Sequence, residues 1–286
     1  MGFEIATING WSFYHVPEIT EAGIVHGFMT ASSDAIIRDE NERMRFVAAL
    51  GASDMVILKQ EHSNVVHVID GGARPQAGDG LIMKEKGVIG VIKTADCLPV
   101  ILYDRSRPLA AIVHAGWRGS AARITEKALQ AMIDLGAQPG SMGALIGPGI
   151  GPCCYEVGEE VRQAFLKNRF PSSIFVEKGA SLYQQGARAC PPQGGSPPPP
   201  ANLDPLRGCP ASPSMLAPLA RRFPQQRAPV GIYLDLKKAN RSILESNDVQ
   251  EIYDADLCTM CKGDLFHSFR RDKGIGRQVN FVLISH

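Results

Sequence analysis

Residues 93–119 read "KTADCLPVILYDRSRPLAAIVHAGWRG", and the reading of the fold starts here. The runs at 99–104 ("PVILYD") and 109–115 ("LAAIVHA") are β-branched and aliphatic, and "GVIGVIK" at 87–93 precedes them. Apolar runs of this length, bounded by Pro, Gly and charged turn-formers, read as strands. Cys97 follows the first run and His114 closes the last. Each is followed by turn-formers, Leu98-Pro99 and Gly116. That layout delivers a thiol and an imidazole from strand ends to one rim.

Working outward, further strands are expected at "SDMVILKQEH" (53–62), "SNVVHVI" (63–69), "GDGLIM" (78–83), "MGALIG" (142–147) and "QVNFVLIS" (278–285). "NERMRFVAALGA" (41–52) predicts a helix with Met44, Val47 and Ala48 on one face and Phe46 and Leu50 beside them. "SAARITEKALQAMIDLGAQ" (120–138) predicts another, with Ile124, Ala128, Ala131, Met132 and Leu135 at helical spacing, Ser120 as its cap and Gly136 as its end. Two more are expected within 156–168 and 234–247. Strands outnumber helices and several are joined by short turns. This favours an α/β (α+β) sandwich with mixed or largely antiparallel sheets over a doubly wound array.

With 286 residues and 44% hydrophobic content, the chain can build one large domain or two small ones. Thirty basic and 29 acidic residues leave a formal charge of +1, so no global field favours nucleic acid or an anionic membrane. No apolar run approaches the ~18–20 residues of a membrane span. The start lacks a basic stretch followed by an apolar one, and its sixth residue is Ala where a myristoylation motif takes Ser or Thr. Seven cysteines, an odd number, read as reduced thiols of a cytoplasmic protein, some of them metal-bound. From 186 to about 229 the composition turns to Pro, Ala, Arg and Gly without periodicity, which predicts a disordered insertion.

His62 stands at the end of an apolar run, as Cys97 and His114 do. The three could converge on Zn²⁺, which accepts neutral imidazoles and a thiolate and keeps a fourth position for water or substrate. Unrelated packing roles, or a Cys–His catalytic pair without metal, fit the same residues. Asp96 beside the cysteine is a candidate proton carrier or partner of an imidazole, and Arg118 a candidate phosphate clamp. Each has a plain alternative, a turn-capping Asp and a surface Arg. "IGPGIGPCCYEVG" (146–158) lacks both phosphate-loop spacings and reads as a tight strand-to-helix turn in which Gly supplies positive φ. Cys153 and Cys154 within it read as small buried apolar residues. "CTMC" (258–261) has CxxC spacing, yet neither His267 nor Cys209 supplies a second ligand pair, so structural thiols are expected. Arg270, Arg271, Lys273 and Arg277 form a basic turn or an anion-binding rim. The zinc nucleobase deaminase pattern is excluded, because the chain has "HAG" and "PCCYE" where that pattern needs H-x-E and P-C-x-x-C.

Together "QEH", "TADCLPV", "HAGWRG", "IGPGIGPCCYEVG", "CT" and "FHSFRRDKGIGRQ" occur in the order and spacing of one family. The chain resembles the YfiH-like, laccase-domain proteins, catalogued as multicopper polyphenol oxidoreductases and as purine nucleoside phosphorylases. The resemblance runs from about residue 25 to 284 and breaks at the proline-rich insertion. It implies one catalytic domain over 1–286, a layered α-β-β-α sandwich similar to the catalytic domain of cytotoxic necrotizing factor. It implies zinc held by His62, Cys97 and His114, with Cu²⁺ a second reading from the family's oxidoreductase cataloguing. Implied partners are phosphate and purine nucleosides (adenosine, inosine, methylthioadenosine), with adenosine deamination as a side activity. Asp96, Cys97 and His114 become the catalytic candidates. Gln60, Arg118, Arg270 and Arg271 become the substrate and phosphate candidates. One departure stands out, because Ala31 occupies the place of the family's usual arginine. Laccase chemistry fits poorly, since seven scattered histidines cannot supply a blue-copper site plus a trinuclear cluster.

Overall fold

The computed structural model describes residues 2–72, 74–179 and 230–285. The expected insertion at 186–229 lies outside the described residues. Two six-stranded mixed sheets form the centre. The first runs β1 (Glu4–Ile8), β2 (Trp11–His15), β3 (Ile24–Met29), β15 (Gln278–Ile284), β7 (Val88–Thr94), β4 (Asp54–Ile57). The second runs β14 (Glu251–Asp254), β10 (Met142–Ile146), β8 (Leu98–Asp104), β9 (Leu109–Ala115), β6 (Gly80–Met83), β5 (Val66–Ile69). A small sheet joins β11 (Glu156–Val157), β13 (Val230–Leu234) and β12 (Phe175–Gly179). Pairing is antiparallel throughout the large sheets except β4 with β7, β5 with β6 and β10 with β14.

Alternation along the strands builds the layers. In β8, Ile101 and Tyr103 turn to the inter-sheet core with Phe28 and Val282 of the first sheet, while Leu98, Val100 and Leu102 turn outward. The outward side chains are covered by α5 (Ile124–Asp134), α6 (Glu159–Lys167) and α7 (Leu236–Ser246). On the other side, Ile36 of α2 (Asp34–Arg38) and Phe46 of α3 (Glu40–Ala49) cover the first sheet through Trp11, Val91 and Phe281. The result is the expected α-β-β-α sandwich. Short helices α1 (Pro17–Glu21), α4 (Trp117–Ala121) and α8 (Phe269–Asp272) fill the connections.

Three local expectations are corrected. In α3 it is Phe46 that is buried, while Met44 is 56% exposed and Ala48 also faces solvent. The aromatic ring wins the sheet-facing position because it buries more area there. The helix expected from Ser120 is two helices, broken where Arg123 takes a left-handed φ of 59°. Ser120 therefore lies inside α4, its hydroxyl donating to the Ala115 carbonyl at 3.3 Å, while Gly136 ends α5 as predicted with φ +97°. The glycines of 147–158 have no positive φ. They are there for space, since a Cβ at Gly149 would stand 2.9 Å from Leu98 Cδ1 and one at Gly147 would enter the Phe28 ring.

Gly143 on β10 makes the same point inside the sheet, lying beside Tyr103, whose ring occupies the space of a Cβ. Gly143→Ala should cost about 1–3 kcal/mol of stability, the usual penalty of overpacking. Urea unfolding reads it, and an unchanged midpoint would contradict the packing.

Candidate metal centre

The chain changes sheets between β7 and β8, and Asp96 and Cys97 lie in that crossing. It changes sheets again between β4 and β5, and His62 lies in that one. β8 and β9 form an antiparallel hairpin with Leu98 opposite Ala115 and Pro99 opposite His114. Hence Cys97 and His114, seventeen positions apart in sequence, meet at one end of the second sheet.

Cys97 Sγ lies 3.9 Å from His62 Nε2, and the His62 and His114 rings are 4.9 Å apart, edge to face. The ligand atoms of His62, Cys97 and His114 all lie within 4.8 Å of one another. Gly116 closes the back of the cluster, for a Cβ there would stand 2.9 Å from Cys97 Sγ and 3.1 Å from His62 Cδ2.

What orders these groups is Asp79, which the sequence reading passed over. It is fully buried immediately before β6. Its carboxylate accepts from the backbone amides of Glu61 (3.2 Å), His62 (3.0 Å) and Ser63 (2.6 Å) and from the Ser63 hydroxyl (2.6 Å). It also takes the Nδ1 proton of His114 at 2.8 Å. His114 Nε2 is thereby left to face Cys97 as a ligand, the arrangement that metal-binding histidines use. His62 is held at a left-handed φ of 57°, an uncommon conformation outside glycine that the three amide bonds enforce. The only signal in the sequence was an Asp between two glycines, "GDG", which reads as a turn.

The electrostatics follow. Burial would raise the Cys97 thiol, but the neighbouring His114 and the hydrogen bonds from His114 and His62 bring it down to about 6. Burial would lower the His114 imidazolium, but the Cys97 charge and the Asp79 hydrogen bond bring it up to about 9. Burial would likewise raise the Asp79 carboxyl, yet hydrogen bonds from His114 and Ser63 hold it well below the usual carboxylate range. A thiolate beside two imidazoles, one braced by a carboxylate, suits a borderline-soft divalent cation such as zinc.

The other expected residues divide. Gln60 uses both ends of its amide on the backbone of Lys93, at 2.8 Å each, and so ties the His62 loop to β7. Asp96 is 6% exposed and left-handed (φ 84°). It accepts from Thr259 Oγ1 (2.7 Å), Ser268 Oγ (3.0 Å) and the Arg270 amide (2.8 Å), which braces the 258–272 segment; this geometry gives the expected proton-carrying role no support. Arg271 spends its guanidinium on Asp272 and on the carbonyls of Thr259, Met260 and Phe266, so it is scaffold and not a clamp. Arg277 likewise binds the Gly274 and Gly276 carbonyls.

Arg118 and Arg270 do come together, in a cleft of about 550 Å³ shared with Trp117, Tyr155 and Glu160. Each guanidinium rests on an aromatic face, Arg118 at 4.4 Å from the Trp117 centroid and Arg270 at 5.2 Å from that of Tyr155. Burial, then the negative charge of Cys97, push the Tyr155 phenol up, so the field of the cluster reaches the cleft wall. A second cleft of about 600 Å³ around Arg123, Lys167, Arg169 and Phe170 contains none of the expected residues. Ala31, at the place of the missing arginine, donates its amide to the Leu265 carbonyl at 2.8 Å.

The family described as multi-copper polyphenol oxidoreductase laccase matches residues 27–187 and 213–285. The chain belongs to this family, the YfiH-like proteins. It is 29% identical over 247 residues to a protein named purine nucleoside phosphorylase YfiH from Shigella flexneri, covering 85% of this chain and 79% of that one. It is 30% identical over 235 residues to a purine nucleoside phosphorylase of Deinococcus radiodurans, covering 81% and 71%. A 149-residue match at 34% identity links it to adenosine deaminase RL5 from an unknown prokaryote, covering 48% and 57%. Among solved structures, the Bacillus licheniformis hypothetical protein YfiH superposes with a TM-score of 0.73 at 23% identity over 99% of both chains, which shows the fold.

Two outcomes test the centre. In metal-stripped protein, alkylation of Cys97 should rise with pH through a midpoint near 6 instead of the ~8.5 of a free thiol, because only the thiolate reacts. A midpoint above 8 would contradict the coupling to His114. Asp79→Asn should weaken metal binding about 10–100-fold in a competition titration, with an unchanged affinity counting against the hub.

Proposed function

We propose that this chain is a metal-dependent purine nucleoside phosphorylase that turns adenosine, inosine or methylthioadenosine plus phosphate into the free base and a ribose 1-phosphate-type sugar, with adenosine deamination as a side activity. The observation that carries this reading is the link between the His62–Cys97–His114 cluster and a cleft holding two guanidiniums on aromatic faces: Arg118 follows His114 by four residues, and the Cys97 charge acts on the Tyr155 phenol of the cleft wall. The names of the relatives at 29–30% identity support it.

Phosphorolysis needs phosphate placed in line with the sugar carbon and a hydrogen bond for the departing purine. Arg118 and Arg270, pre-oriented by Trp117 and Tyr155, offer planar forks to two phosphate oxygens. Glu160 in the same cleft can accept from ribose hydroxyls. The Tyr155 phenol, pushed up by burial and by Cys97, stays protonated at neutral pH and can donate to the purine. Zn²⁺ held by Cys97, His62 and His114 would supply Lewis acidity and keep the Cys97 thiol ionised. Asp79 and Gln60 hold those ligands in register. Copper oxidase chemistry has less support, for among the described residues only His62 and His114 converge with cysteine as ligands.

One observation favours a second reading. Cys97, His114 and Asp79 also line up as thiol, imidazole and carboxylate, the parts of a metal-free cysteine hydrolase or deamidase.

Chromatography of inosine or adenosine incubated with the folded, zinc-loaded protein, with and without phosphate, tests the choice. Phosphate-dependent base release should be lost in Cys97→Ala. Arg118→Ala or Arg270→Ala should raise the KM for phosphate about 10–100-fold, the equivalent of one charged hydrogen-bonding partner. No base and no deaminated product would sink the nucleoside reading. Activity that survives chelation but not alkylation would establish the thiol hydrolase.

A further inference from the structure

The nucleoside reading does not use the remaining cysteines. "CC" at 153–154 and "CTMC" at 258–261 are more than a hundred residues apart, and in isolation the first reads as buried apolar residues and the second as structural thiols. The fold brings them together. Residues 147–158 leave β10 and residues 255–262 leave its parallel neighbour β14, so both segments emerge at the same end of the second sheet. There Gly149 bridges Cys258, Thr259 donates its amide to the Gly149 carbonyl at 3.2 Å, and the sulfurs of Cys153, Cys154, Cys258 and Cys261 all fall within 4.8 Å of one another. The expectation that Cys153 and Cys154 are buried apolar residues is corrected, for the thiols are only partly buried and face other sulfurs.

We propose that the free thiols of Cys153, Cys154 and Cys258 form a second, structural site for one thiophilic d¹⁰ cation, with Zn²⁺ as the physiological candidate class. Three features carry it. Zinc–sulfur bonds of about 2.3 Å put tetrahedral ligand sulfurs about 3.8 Å apart, and the sulfurs here all lie within 4.8 Å of one another. The Gly151 amide donates to Cys258 Sγ at 3.3 Å, the kind of N–H···S bond that offsets charge on a metal-bound thiolate. Lys178 donates to the Pro152 and Cys153 carbonyls at 2.7 and 3.3 Å, bringing a positive charge to a loop that would carry three thiolates. Three thiolates satisfy a trigonal ion, or a tetrahedral one whose last ligand is water. The Cys261 sulfur borders that space, 3.5 Å from Cys153 Sγ and 3.4 Å from Cys154 Sγ. Binding replaces three thiol protons by one divalent ion and releases them to solvent.

The site would act as a clasp. Ile150 donates its amide to the Asp96 carbonyl, and Thr259 donates its hydroxyl to the Asp96 carboxylate. An ion joining 153–154 to 258 would therefore lock the two segments that flank the turn carrying Cys97. It is separate from the His62 cluster in both residues and ligand chemistry, sulfur only against two imidazoles and a thiolate.

Cobalt titration of the full-length, reduced, metal-stripped protein tests this. Wild type should take up two equivalents of Co²⁺, and Cys97→Ala one, with intense thiolate-to-cobalt charge transfer. Cys258→Ser should keep one equivalent and lose most of that absorption. Zinc should bleach both signals. A single equivalent in wild type that disappears in Cys97→Ala would overturn the proposal. Because Cys258→Ser could fail to fold, wild type is also labelled with iodoacetamide and mapped by mass spectrometry. Zinc should slow labelling of Cys153, Cys154 and Cys258 at least tenfold, and equal labelling with and without zinc would equally overturn it.

Discussion

Asp79 is the constraint on which the site depends. A carboxylate with no exposure costs several kcal/mol unless donors surround it. Here the donors are the residues that must be ordered: three consecutive amides of 61–63, the Ser63 hydroxyl and the His114 imidazole. Satisfying one buried charge therefore folds the His62 loop and selects the ring nitrogen that His114 turns to Cys97. The chain also tolerates a left-handed backbone at His62, a conformation that such a loop would not keep without these bonds.

The sandwich supplies the other half. Where the chain passes from one large sheet to the other, it must cross the rim of the inter-sheet core, and two of these crossings carry the candidate residues, His62 in one and Asp96-Cys97 in the other. The β8–β9 hairpin then sets His114 beside Cys97 by register alone. On the far side of Cys97, Asp96 gathers Thr259, Ser268 and the Arg270 amide, so the wall bearing Arg270 and the candidate ligand Cys97 share one short turn. A residue beside a candidate ligand cysteine invites a chemical role, but a buried carboxylate receiving three donors has a structural role first.

Strongly apolar strands were legible because burial on both faces leaves a composition that only a central strand tolerates, as in β7, β8 and β9. β1 was not, since it is an exposed edge strand in which Ile5 is 63% exposed and the pattern carries little burial signal. The break at Arg123 left no trace because no residue type there demands φ > 0. Of the site, His62, Cys97 and His114 stood out as candidates at strand ends and in a family pattern, and the structure brings them together, whereas the roles of Gln60 and Arg271 were not readable. Their partners are backbone carbonyls and amides, which no side-chain motif reveals. The cysteine cluster was hidden by distance in sequence, because its two halves meet only through the parallel pairing of β10 with β14.

The central claim is that one buried carboxylate presents His62, Cys97 and His114 as a ready-made ligand set. Anomalous diffraction at the metal edge, from crystals of the purified protein, tests it most directly. The account predicts a peak bounded by the Cys97 sulfur, His62 and the Nε2 of His114, with Asp79 on the Nδ1 side of that ring. An ion bound through His114 Nδ1, or metal-loaded crystals with no peak among these three residues, would contradict it.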